Sequence, residues 1–429
     1  MDSVRLDFTI QTHGDCRVPS PMTSARFVRD DQKVLYASTP DELTRFRTAS
    51  GEPAAMECAG PRERLFYTPA SIACGIVTCG GLCPGLNDVI RAIVLSLHHH
   101  YGVPTIYGFR HGYEGLVERH GYPPIELTPS VVSRVHEMGG SLLGSSRGPQ
   151  EPAAMVDYLQ RLGVSILFAI GGDGTLRGAQ AVADEAMRRR AGISVIGVPK
   201  TIDNDISFVQ KTFGFETAVA EARRATYAAN AEAESARNGI GLVKLMGRDS
   251  GFIAAYTVLV DGQVNFCLIP EVPFTLEKLL SELHKRIERR GHAVIVVAEG
   301  AGQELLARVE ERDASGNIKH GDIGVFLRDA IAADFRDRRV PVSVKYIDPS
   351  YTIRSVPASP HDSAFCLLLG HNAVHAGMTG RTGLVVGFWN HQFTHVPINL
   401  AVSRRKKVDP DSTLWSSVLA STGQPRDLC

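Results

Sequence analysis

Residues 166–175 read Ile-Leu-Phe-Ala-Ile-Gly-Gly-Asp-Gly-Thr, an apolar run that ends in a glycine-rich turn. The run has the length and composition of a buried β-strand, and a helical pattern follows the turn. A strand that leads through a short turn into a helix is typical of a parallel sheet flanked by helices. This stretch therefore predicts an α/β fold.

The same alternation extends along the chain from Ser71. The clearest predicted helix covers 275–290, with leucines at helical spacing and Gly291 as its stop signal. Residues 1–68 lack this periodicity and are interpreted as an extension that lies over the main body. Further strands are predicted at 72–78, 105–109, 194–198, 241–246, 266–269, 293–298 and 340–347.

Composition excludes several classes of protein. The chain has 429 residues, which predicts two or three domains, and its 46 Lys and Arg balance 46 Asp and Glu. A nucleic acid is therefore not expected as a partner, because neutralising phosphates needs a basic excess. No apolar run approaches the ~20 residues of a membrane helix, and Asp2 and Asp7 do not suit a signal peptide. We expect a cytoplasmic protein with no membrane partner and with reduced cysteines.

Two glycine turns follow predicted strands, at 78–87 and at 169–175. Glycines at a strand-to-helix turn let backbone N–H groups approach an anion, and the helix N-terminus adds favourable partial charge. Asp173 in the second turn suits Mg²⁺, which bridges phosphate oxygens. A tight turn that needs positive φ would explain either one alone, but two such turns in one sheet favour phosphate chemistry.

A third motif follows the strand predicted at 194–198 and reads Pro-Lys-Thr-Ile-Asp-Asn-Asp over 199–205. Asp203 and Asp205 are two carboxylates that can divide the work of a phosphoryl transfer. One accepts a proton from the attacking hydroxyl, and the other orients the metal or its partner. A turn that caps the next helix is the structural alternative.

Cationic and hydroxyl side chains lie near other predicted strand ends or in loops, where the planar fork of arginine suits phosphate. Each of them alone is more often an ordinary surface residue. Glu271 and Glu299 each follow an apolar strand and could accept hydrogen bonds from sugar hydroxyls. The cationic and hydroxyl candidates are Arg147, Arg248, Lys345, Tyr351 and Arg354.

Three other clusters are interpreted as structural. The contiguous histidines at 98–100 cannot share one helix face and are expected at the surface. Cys79 and Cys83 have ligand-like spacing but no second pair, so they are expected to pack around the glycine turn. The basic run at 404–407 is interpreted as a solvated face.

Taken in order, the motifs resemble the 6-phosphofructokinase family, and more narrowly its plant and trypanosome ATP-dependent branch, which is related to the pyrophosphate-dependent enzymes. The resemblance covers about residues 35–425. It is carried by the segments at 80–87, 171–175, 199–205, 244–248, 298–300 and 351–354.

The resemblance implies phosphoryl transfer from ATP to the 1-hydroxyl of fructose 6-phosphate, with Mg²⁺ held by Asp173. Asp203 would be the proton acceptor, with Lys200, Thr201 and Asp205 beside it. The residues implied to bind ATP are Gly81, Arg147, Gly148, Gly172, Asp173, Gly174 and Thr175. Those implied to bind fructose 6-phosphate are Thr201, Met246, Gly247, Arg248, Glu299, Lys345, Tyr351 and Arg354.

Proteins of this family have two doubly wound, Rossmann-like domains with mostly parallel sheets and the active site in the cleft between them. The resemblance implies a nucleotide-binding domain at 69–214 plus 355–405, a fructose 6-phosphate domain at 215–354 and a C-terminal tail at 406–429. It also implies an allosteric glycolytic enzyme and a homo-oligomer, dimer or tetramer, in which a neighbouring subunit can complete the sugar-phosphate pocket.

Two positions depart from the bacterial ATP enzymes, which have Gly at Lys200 and Arg at Gly239. Lys200 is also what the pyrophosphate-dependent relatives carry. Those relatives have Asp at Gly174, where a carboxylate would crowd and repel the α-phosphate of ATP. Glycine there predicts ATP as the donor. The alternatives are pyrophosphate as the donor and a catalytically silent regulatory subunit.

Overall fold

The computed structural model describes residues 4–23, 26–306, 311 and 319–429. Its strands are β1 Val4–Arg5, β2 Gln11–Thr12, β3 Val18–Pro19, β4 Lys33–Leu35, β5 Phe46–Arg47, β6 Ala55–Cys58, β7 Arg64–Leu65, β8 Ala73–Thr78, β9 Thr105–Phe109, β10 Ile125–Glu126, β11 Val164–Gly171, β12 Ser194–Pro199, β13 Gly239–Leu245, β14 Phe266–Leu268, β15 His292–Ala298, β16 Ser343–Ile347, β17 Arg381–Thr382, β18 Leu384–Trp389 and β19 Gln392–Pro397. Its helices are α1 Pro40–Arg45, α2 Leu86–Leu95, α3 Pro152–Arg161, α4 Asp173–Arg188, α5 Phe215–Glu234, α6 Phe252–Asp261, α7 Leu276–Arg290, α8 Ile323–Asp337, α9 Pro360–Met378, α10 Ile398–Ala401 and α11 Thr413–Thr422.

The chain divides into two compact units. The first comprises residues up to 201 together with 206–214 and 356–404, and the second comprises 202–205, 215–355 and 405–429. Within the described ranges, every helix is too short or too polar to cross a bilayer.

The first unit is built on a nine-stranded sheet in the order β10-β9-β8-β11-β12-β18-β19-β6-β4. Its five consecutive strands from β9 to β18 are parallel, and the outer strands join antiparallel. The predicted α/β class is confirmed, and β8, β9, β11 and β12 lie where strands were predicted. The sheet is mixed because the edge strands pair antiparallel.

Helices cover both faces of the parallel strands. Because successive side chains of a strand point to opposite faces, they pack against different helices. Leu167 and Ala169 of β11 belong to the apolar cluster that includes residues of α3 and α4. Their neighbour Ile166 faces the other way: a Cβ added at Gly377 of α9 would lie 2.7 Å from the Ile166 side chain. A strand that is buried on both faces reads as a continuous apolar run, which explains the strong strand signal of β11.

The expectation that residues 1–68 lie over the main body as an extension was wrong for 33–58, because β4 and β6 are the last two strands of the sheet. Buried charges hold this edge in place. Arg381 donates hydrogen bonds to Glu57 on β6 and to Asp30, each at 2.9 Å. His395 on β19 donates to the same Glu57 carboxylate at 3.1 Å.

The second unit contains a four-stranded sheet in the order β14-β15-β13-β16, and every pair in it is parallel. The predicted helix at 275–290 is confirmed as α7, which buries Leu279, Leu283 and Ile287 and ends at Gly291 with φ 74°. Apolar residues of α7 and α8 form one core cluster with β13 and β15. These contacts position the carboxyl ends of β13 and β15, where polar side chains of the site begin.

Residues 406–429, expected as a C-terminal tail, are an integral part of the second unit. The Gln424 side chain accepts a hydrogen bond from the Cys267 N–H at 2.6 Å and donates one to the Cys267 carbonyl at 3.3 Å. The Thr275 N–H, at the start of α7, donates to the Leu428 carbonyl at 2.8 Å. The segment therefore extends the hydrogen bonding of the sheet beyond β14.

The histidine and cysteine clusters take the structural places expected for them. His98 and His99 are exposed on a π-helical turn, Ser96–Tyr101, at the end of α2. Cys79 and Cys83 are buried around the first glycine turn. No disulfide links the eight cysteines, all of which lie in the described ranges.

The buried charge network at the sheet edge predicts a pH-dependent stability. Burial would raise the pKa of Glu57, but the hydrogen bond from His395 and the charge of Arg381 outweigh it and lower that pKa to about 2. A depressed carboxyl pKa stabilises the fold above the ordinary value of 4.5, and this contribution is lost as the pH falls toward 2.

We therefore expect Glu57→Gln to lower the free energy of unfolding by about 1–3 kcal/mol at pH 7, because it weakens a buried charged hydrogen-bond network. The deficit should narrow as the pH falls from about 4.5 toward 2, because over this range the unfolded chain binds a proton at this carboxyl before the folded protein does. Urea unfolding at several pH values measures both effects. Glu52→Gln, at an exposed acid nearby, is the control. A deficit that does not change with pH would contradict this account.

Candidate functional site

Three parallel strands of the first unit end side by side, and each is followed by a predicted motif. Thr78 of β8 pairs with Ile170 of β11, and Gly171 of β11 pairs with Pro199 of β12. The Cys79 N–H donates to the Ile170 carbonyl at 3.1 Å, which continues this alignment into the first glycine turn. The register therefore brings both glycine turns and the Lys200 segment to one edge of the sheet.

Lys200 joins the two glycine turns. Its side chain is buried, and its ammonium donates a hydrogen bond to the Gly81 carbonyl at 2.6 Å. Its backbone N–H donates to the Gly171 carbonyl at 3.0 Å. A Cβ added at Gly172 would lie 3.3 Å from the Lys200 carbonyl oxygen, so the second turn also packs closely on this residue. The structure thus brings together three predicted site elements that are far apart in sequence.

The second turn requires glycine at its first position. A Cβ at Gly171 would lie 2.3 Å from the Cβ of Thr175, because the chain turns directly from β11 into α4. Tyr113 helps to hold this turn, since its hydroxyl donates to the Thr175 carbonyl at 2.6 Å. A Cβ added at Gly174, by contrast, would meet open space, with nothing else in the described part of the fold within 4 Å of it. This position therefore accepts a larger residue without a clash in the protein itself.

Asp173 is the first residue of α4 and keeps a partly exposed carboxylate beside the turn. Arg177, one helical turn later, pairs with it at 3.1 Å. Among the described residues, no group of three His, Cys, Asp or Glu side chains is placed to hold a metal by protein ligands alone. Mg²⁺ commonly takes one or two carboxylates and completes its shell with water and phosphate oxygens. A single accessible carboxylate next to a glycine turn that suits phosphate fits that ion.

Arg147 and Gly148 belong to a loop that is attached to the first glycine turn. The Ser145 hydroxyl donates to the Gly80 carbonyl at 2.5 Å, and the Gly80 N–H donates to the Ser146 carbonyl at 3.1 Å. Arg147 is exposed at the tip of this loop, and Gly148 has a φ of 105°. The loop therefore presents a guanidinium next to the glycine turns.

Thr201 is the last residue of this group in the first unit. Its carbonyl accepts a hydrogen bond from the Thr212 hydroxyl at 2.7 Å. Residues 202–205, which follow it directly in the chain, belong to the second unit.

The aspartate turn, residues 203–205, forms the polar centre of the second unit. Asn204 adopts the left-handed conformation with φ 53°, and Asn204 and Asp205 are buried. Burial, the charge of Asp205 and the charge of Glu299 raise the pKa of Asp203 to about 7, against Arg248 and Arg405. A carboxyl with such a pKa can accept and release a proton near neutral pH.

The predicted sugar-binding segment at 246–248 turns sharply after β13. Gly247 has a φ of 136°, and a Cβ there would lie 2.4 Å from the Ser250 carbonyl oxygen, so only glycine fits. The Arg248 N–H donates to the Glu299 carboxylate at 3.0 Å, across the carboxyl ends of β13 and β15. Met246, Gly247, Arg248 and Glu299 therefore lie together, with Glu299 close enough to influence Asp203.

Glu271 has a structural role, in contrast to the alternative of a sugar ligand. Its carboxylate accepts hydrogen bonds from the N–H groups of Gly251 at 3.0 Å and Val408 at 2.8 Å. These bonds hold the loop after β13 against the segment that follows residue 405. Both carboxylate oxygens of Glu271 therefore accept hydrogen bonds from backbone N–H groups of the second unit.

The interpretation of 404–407 as a solvated face was wrong for two of its residues. The Arg405 guanidinium lies 3.6 Å from Asp205 and 3.2 Å from Asp249. The Lys406 ammonium donates to the Asn204 side-chain oxygen at 3.1 Å. A run of four basic residues usually lies in solvent, so sequence reasoning missed these two. The one signal in the sequence was the apolar stretch before the basic run. That stretch does not specify which residues Arg405 and Lys406 contact.

Three predicted substrate residues lie on the other side of β13. Lys345 is exposed on the edge strand β16. Tyr351 precedes the short 3-10 helix Thr352–Arg354, and the Arg354 guanidinium carbon lies 5.0 Å from the centre of the Tyr351 ring. Among the described residues, the structure records no hydrogen bond between these three and the carboxylates of Asp203, Asp205 or Glu299. They form a separate donor group on the second unit.

The arrangement offers two kinds of chemistry. Backbone N–H groups at the glycine turns, with a buried ammonium and the start of a long helix, suit a polyphosphate chain. The carboxyl of Asp203, with its raised pKa, suits proton transfer from an alcohol.

Comparisons with known proteins agree with this chemistry. The phosphofructokinase family model matches residues 73–377. A protein of Borreliella burgdorferi named ATP-dependent 6-phosphofructokinase is 46% identical over 437 residues, which span 98% of this chain and 97% of that protein. A protein of Trypanosoma brucei brucei with the same name is 48% identical over 406 residues, or 93% of this chain and 83% of that protein.

A solved structure has the same fold at lower identity. The pyrophosphate-dependent phosphofructokinase from Marinobacter aquaeolei is 20% identical, covers 82% of this chain and 91% of that chain, and superposes with a TM-score of 0.67. Because the family model covers most of the chain and the relatives match it almost from end to end, the chain belongs to the phosphofructokinase family.

Proposed function

We propose that this chain is an ATP-dependent 6-phosphofructokinase, which transfers the terminal phosphoryl group of ATP to the 1-hydroxyl of fructose 6-phosphate. The observation that carries the proposal is the position of Lys200. It joins two glycine turns through the hydrogen bonds of its ammonium and its backbone N–H, and it stands three residues before an aspartate whose pKa is raised to about 7. Donor-binding and proton-accepting groups are thereby linked by a few residues of chain.

The donor would bind at the glycine turns of the first unit. N–H groups of the turns and the N-terminus of α4 would contact phosphate oxygens, and Lys200 and Arg147 would neutralise charge. The other residues that would line this donor site are Gly81, Gly148, Gly172 and Thr175. Gly174 leaves room for the α-phosphate of ATP, which is the reason for preferring ATP to pyrophosphate.

Mg²⁺ would be held by Asp173. When bound, the ion supplies charge neutralisation between phosphate oxygens during the transfer. For the ion to bind, the Asp173 carboxylate must give up part of its ion pair with Arg177. That ion pair is partly exposed to solvent and therefore contributes little free energy.

Asp203 would accept the proton of the 1-hydroxyl as that oxygen attacks phosphorus. A pKa near the working pH balances the ionised fraction against the strength of the base. Arg248 and Arg405 favour the ionised carboxylate, whereas Asp205 and Glu299 favour the protonated form. Thr201 and Asp205 would orient the acceptor hydroxyl beside Asp203. The two aspartates would therefore act together.

The sugar phosphate would contact the second unit. Glu299, with the backbone at Met246 and Gly247, suits sugar hydroxyls, and cations suit the 6-phosphate. The cationic and hydroxyl donors for that phosphate are Arg248, Lys345, Tyr351 and Arg354. The same proposal places the enzyme in cytoplasmic glycolysis as an allosteric homo-oligomer, a dimer or a tetramer.

Pyrophosphate is the second candidate donor, and Lys200 is the observation that favours it. A donor-swap assay decides between the two. Purified protein is mixed with saturating fructose 6-phosphate and Mg²⁺, and fructose 1,6-bisphosphate is measured with ATP or with pyrophosphate. We expect at least tenfold higher kcat/KM with ATP. No product with either donor would refute the proposed function, and faster turnover with pyrophosphate would replace ATP as the donor.

The variant Gly174→Asp tests the reason for choosing ATP. A Cβ added at Gly174 would meet open space, so the new side chain should not disturb the fold. Its charge should repel the α-phosphate and raise the KM for ATP by on the order of 10–100-fold. Gly174→Asn, of the same size without the charge, is the matched control and should change KM much less. Unchanged ATP kinetics in Gly174→Asp would remove Gly174 as the determinant of donor choice.

The variant Asp203→Ser tests the proton acceptor. We expect kcat to fall by ~10²–10⁴, the range for a positioned general base, with little change in affinity for fructose 6-phosphate. Steady-state kinetics and a direct binding titration separate the two quantities. Asp329→Ser, at an exposed acid of the same unit, is the control. Turnover close to that of the wild type would exclude Asp203 from this role.

A further inference from the structure

Lys406 makes two hydrogen bonds to the aspartate turn and a third to the loop after β13. The ammonium donates to the Asn204 side-chain oxygen at 3.1 Å, and the backbone N–H donates to the Asp205 carbonyl at 2.7 Å. The Lys406 carbonyl accepts from the buried Ser250 hydroxyl at 2.8 Å. One residue thus connects the aspartate turn to the loop that carries Arg248.

These contacts act on a backbone conformation that needs support. Asn204 is left-handed, with φ 53°, and it separates the two aspartates. A non-glycine residue in this conformation costs free energy unless its surroundings hold it there. The bonds of Lys406 to Asn204 and Asp205 supply such support, and they set the directions in which the flanking carboxylates leave the turn.

The surroundings of Lys406 are unusual for a lysine. Its ammonium lies 5.3 Å from the centre of the Phe252 ring, and Phe252 is itself buried. Burial lowers the pKa of Lys406 to about 7, against the charge of Asp205, which raises it. Taking an ammonium out of water for purely structural reasons is costly, because an apolar side chain would fill the same space.

We propose that Lys406 is a positioning residue for phosphoryl transfer, which holds the Asn204 turn so that Asp203 points at the acceptor hydroxyl. The inference rests on the proposed function and adds to it a residue from the C-terminal segment. Arg405, which lies between Asp205 and Asp249, assists by balancing the charge of the turn. Lys406 contacts the turn and leaves proton transfer itself to Asp203.

The main test compares Lys406→Met with Lys407→Met. Methionine keeps the length of the side chain and removes its charge, and Lys407 is an exposed neighbour that serves as the matched control. We expect Lys406→Met to lower kcat by about 10–100-fold with less than a threefold change in KM for either substrate, the pattern of lost transition-state alignment. Lys406→Arg, which retains a charged donor, should recover part of kcat.

A double-mutant cycle covers the case in which Lys406→Met does not fold. Asn204→Gly removes an acceptor of the ammonium while tolerating the left-handed φ. It should reduce kcat by a similar factor, and the effects of Asn204→Gly and Lys406→Gln should be less than additive, because both variants break the same bond. Circular dichroism and thermal unfolding of each variant show whether the activity follows the folded fraction.

Two outcomes would overturn the inference. The first is a kcat of Lys406→Met equal to that of Lys407→Met. The second is a loss that merely follows the folded fraction. Either result leaves the proposed function intact as long as the wild type forms fructose 1,6-bisphosphate and Asp203→Ser does not. A wild type without that activity would instead refute the proposed function.

Discussion

The hydrogen bond from the Lys200 ammonium to the Gly81 carbonyl is the interaction on which the arrangement of the two glycine turns depends. A buried ammonium needs a partner, because its desolvation is otherwise uncompensated. Here the partner is a backbone carbonyl of the first glycine turn, at 2.6 Å. The N–H of the same residue bonds to Gly171 in the second turn. Two turns separated by about ninety residues of chain are thereby fixed relative to each other within the first unit.

The aspartate turn depends on a balance of charge in the second unit. Asp203, Asp205 and Glu299 repel one another, and this repulsion adds to burial in raising the pKa of Asp203. Arg248 and Arg405 oppose it, and Lys406 bonds to the amide between the two aspartates. Carboxylates that share a small volume have their pKa values moved apart, which is how one of them acquires the properties of a base near neutral pH.

The same principle of buried charge explains the edge of the nine-stranded sheet. Glu57, Arg381, His395 and Asp30 come from segments more than 300 residues apart and form one network. The network attaches β6 to β19 and β17, so the N-terminal region completes the sheet. The two carboxylates differ in the direction of their pKa shifts: His395 and Arg381 lower the pKa of Glu57, whereas burial and neighbouring acids raise that of Asp203.

The sequence alone determined the α/β class, most of the parallel strands, helix α7 and the glycine turns, because these depend on local periodicity and on residues with special backbone freedom. It also indicated Asp203 and Lys200 through a short contiguous motif. Only the tertiary structure decided that β18 and β19 continue the first sheet and that the short strands β4 and β6 complete it, since the pairing of strands distant in sequence is not local. The same holds for Glu271, which bonds to backbone, and for Arg405 and Lys406, which contact the aspartate turn. Contacts between residues some 200 positions apart depend on how the chain packs, and no local pattern encodes them.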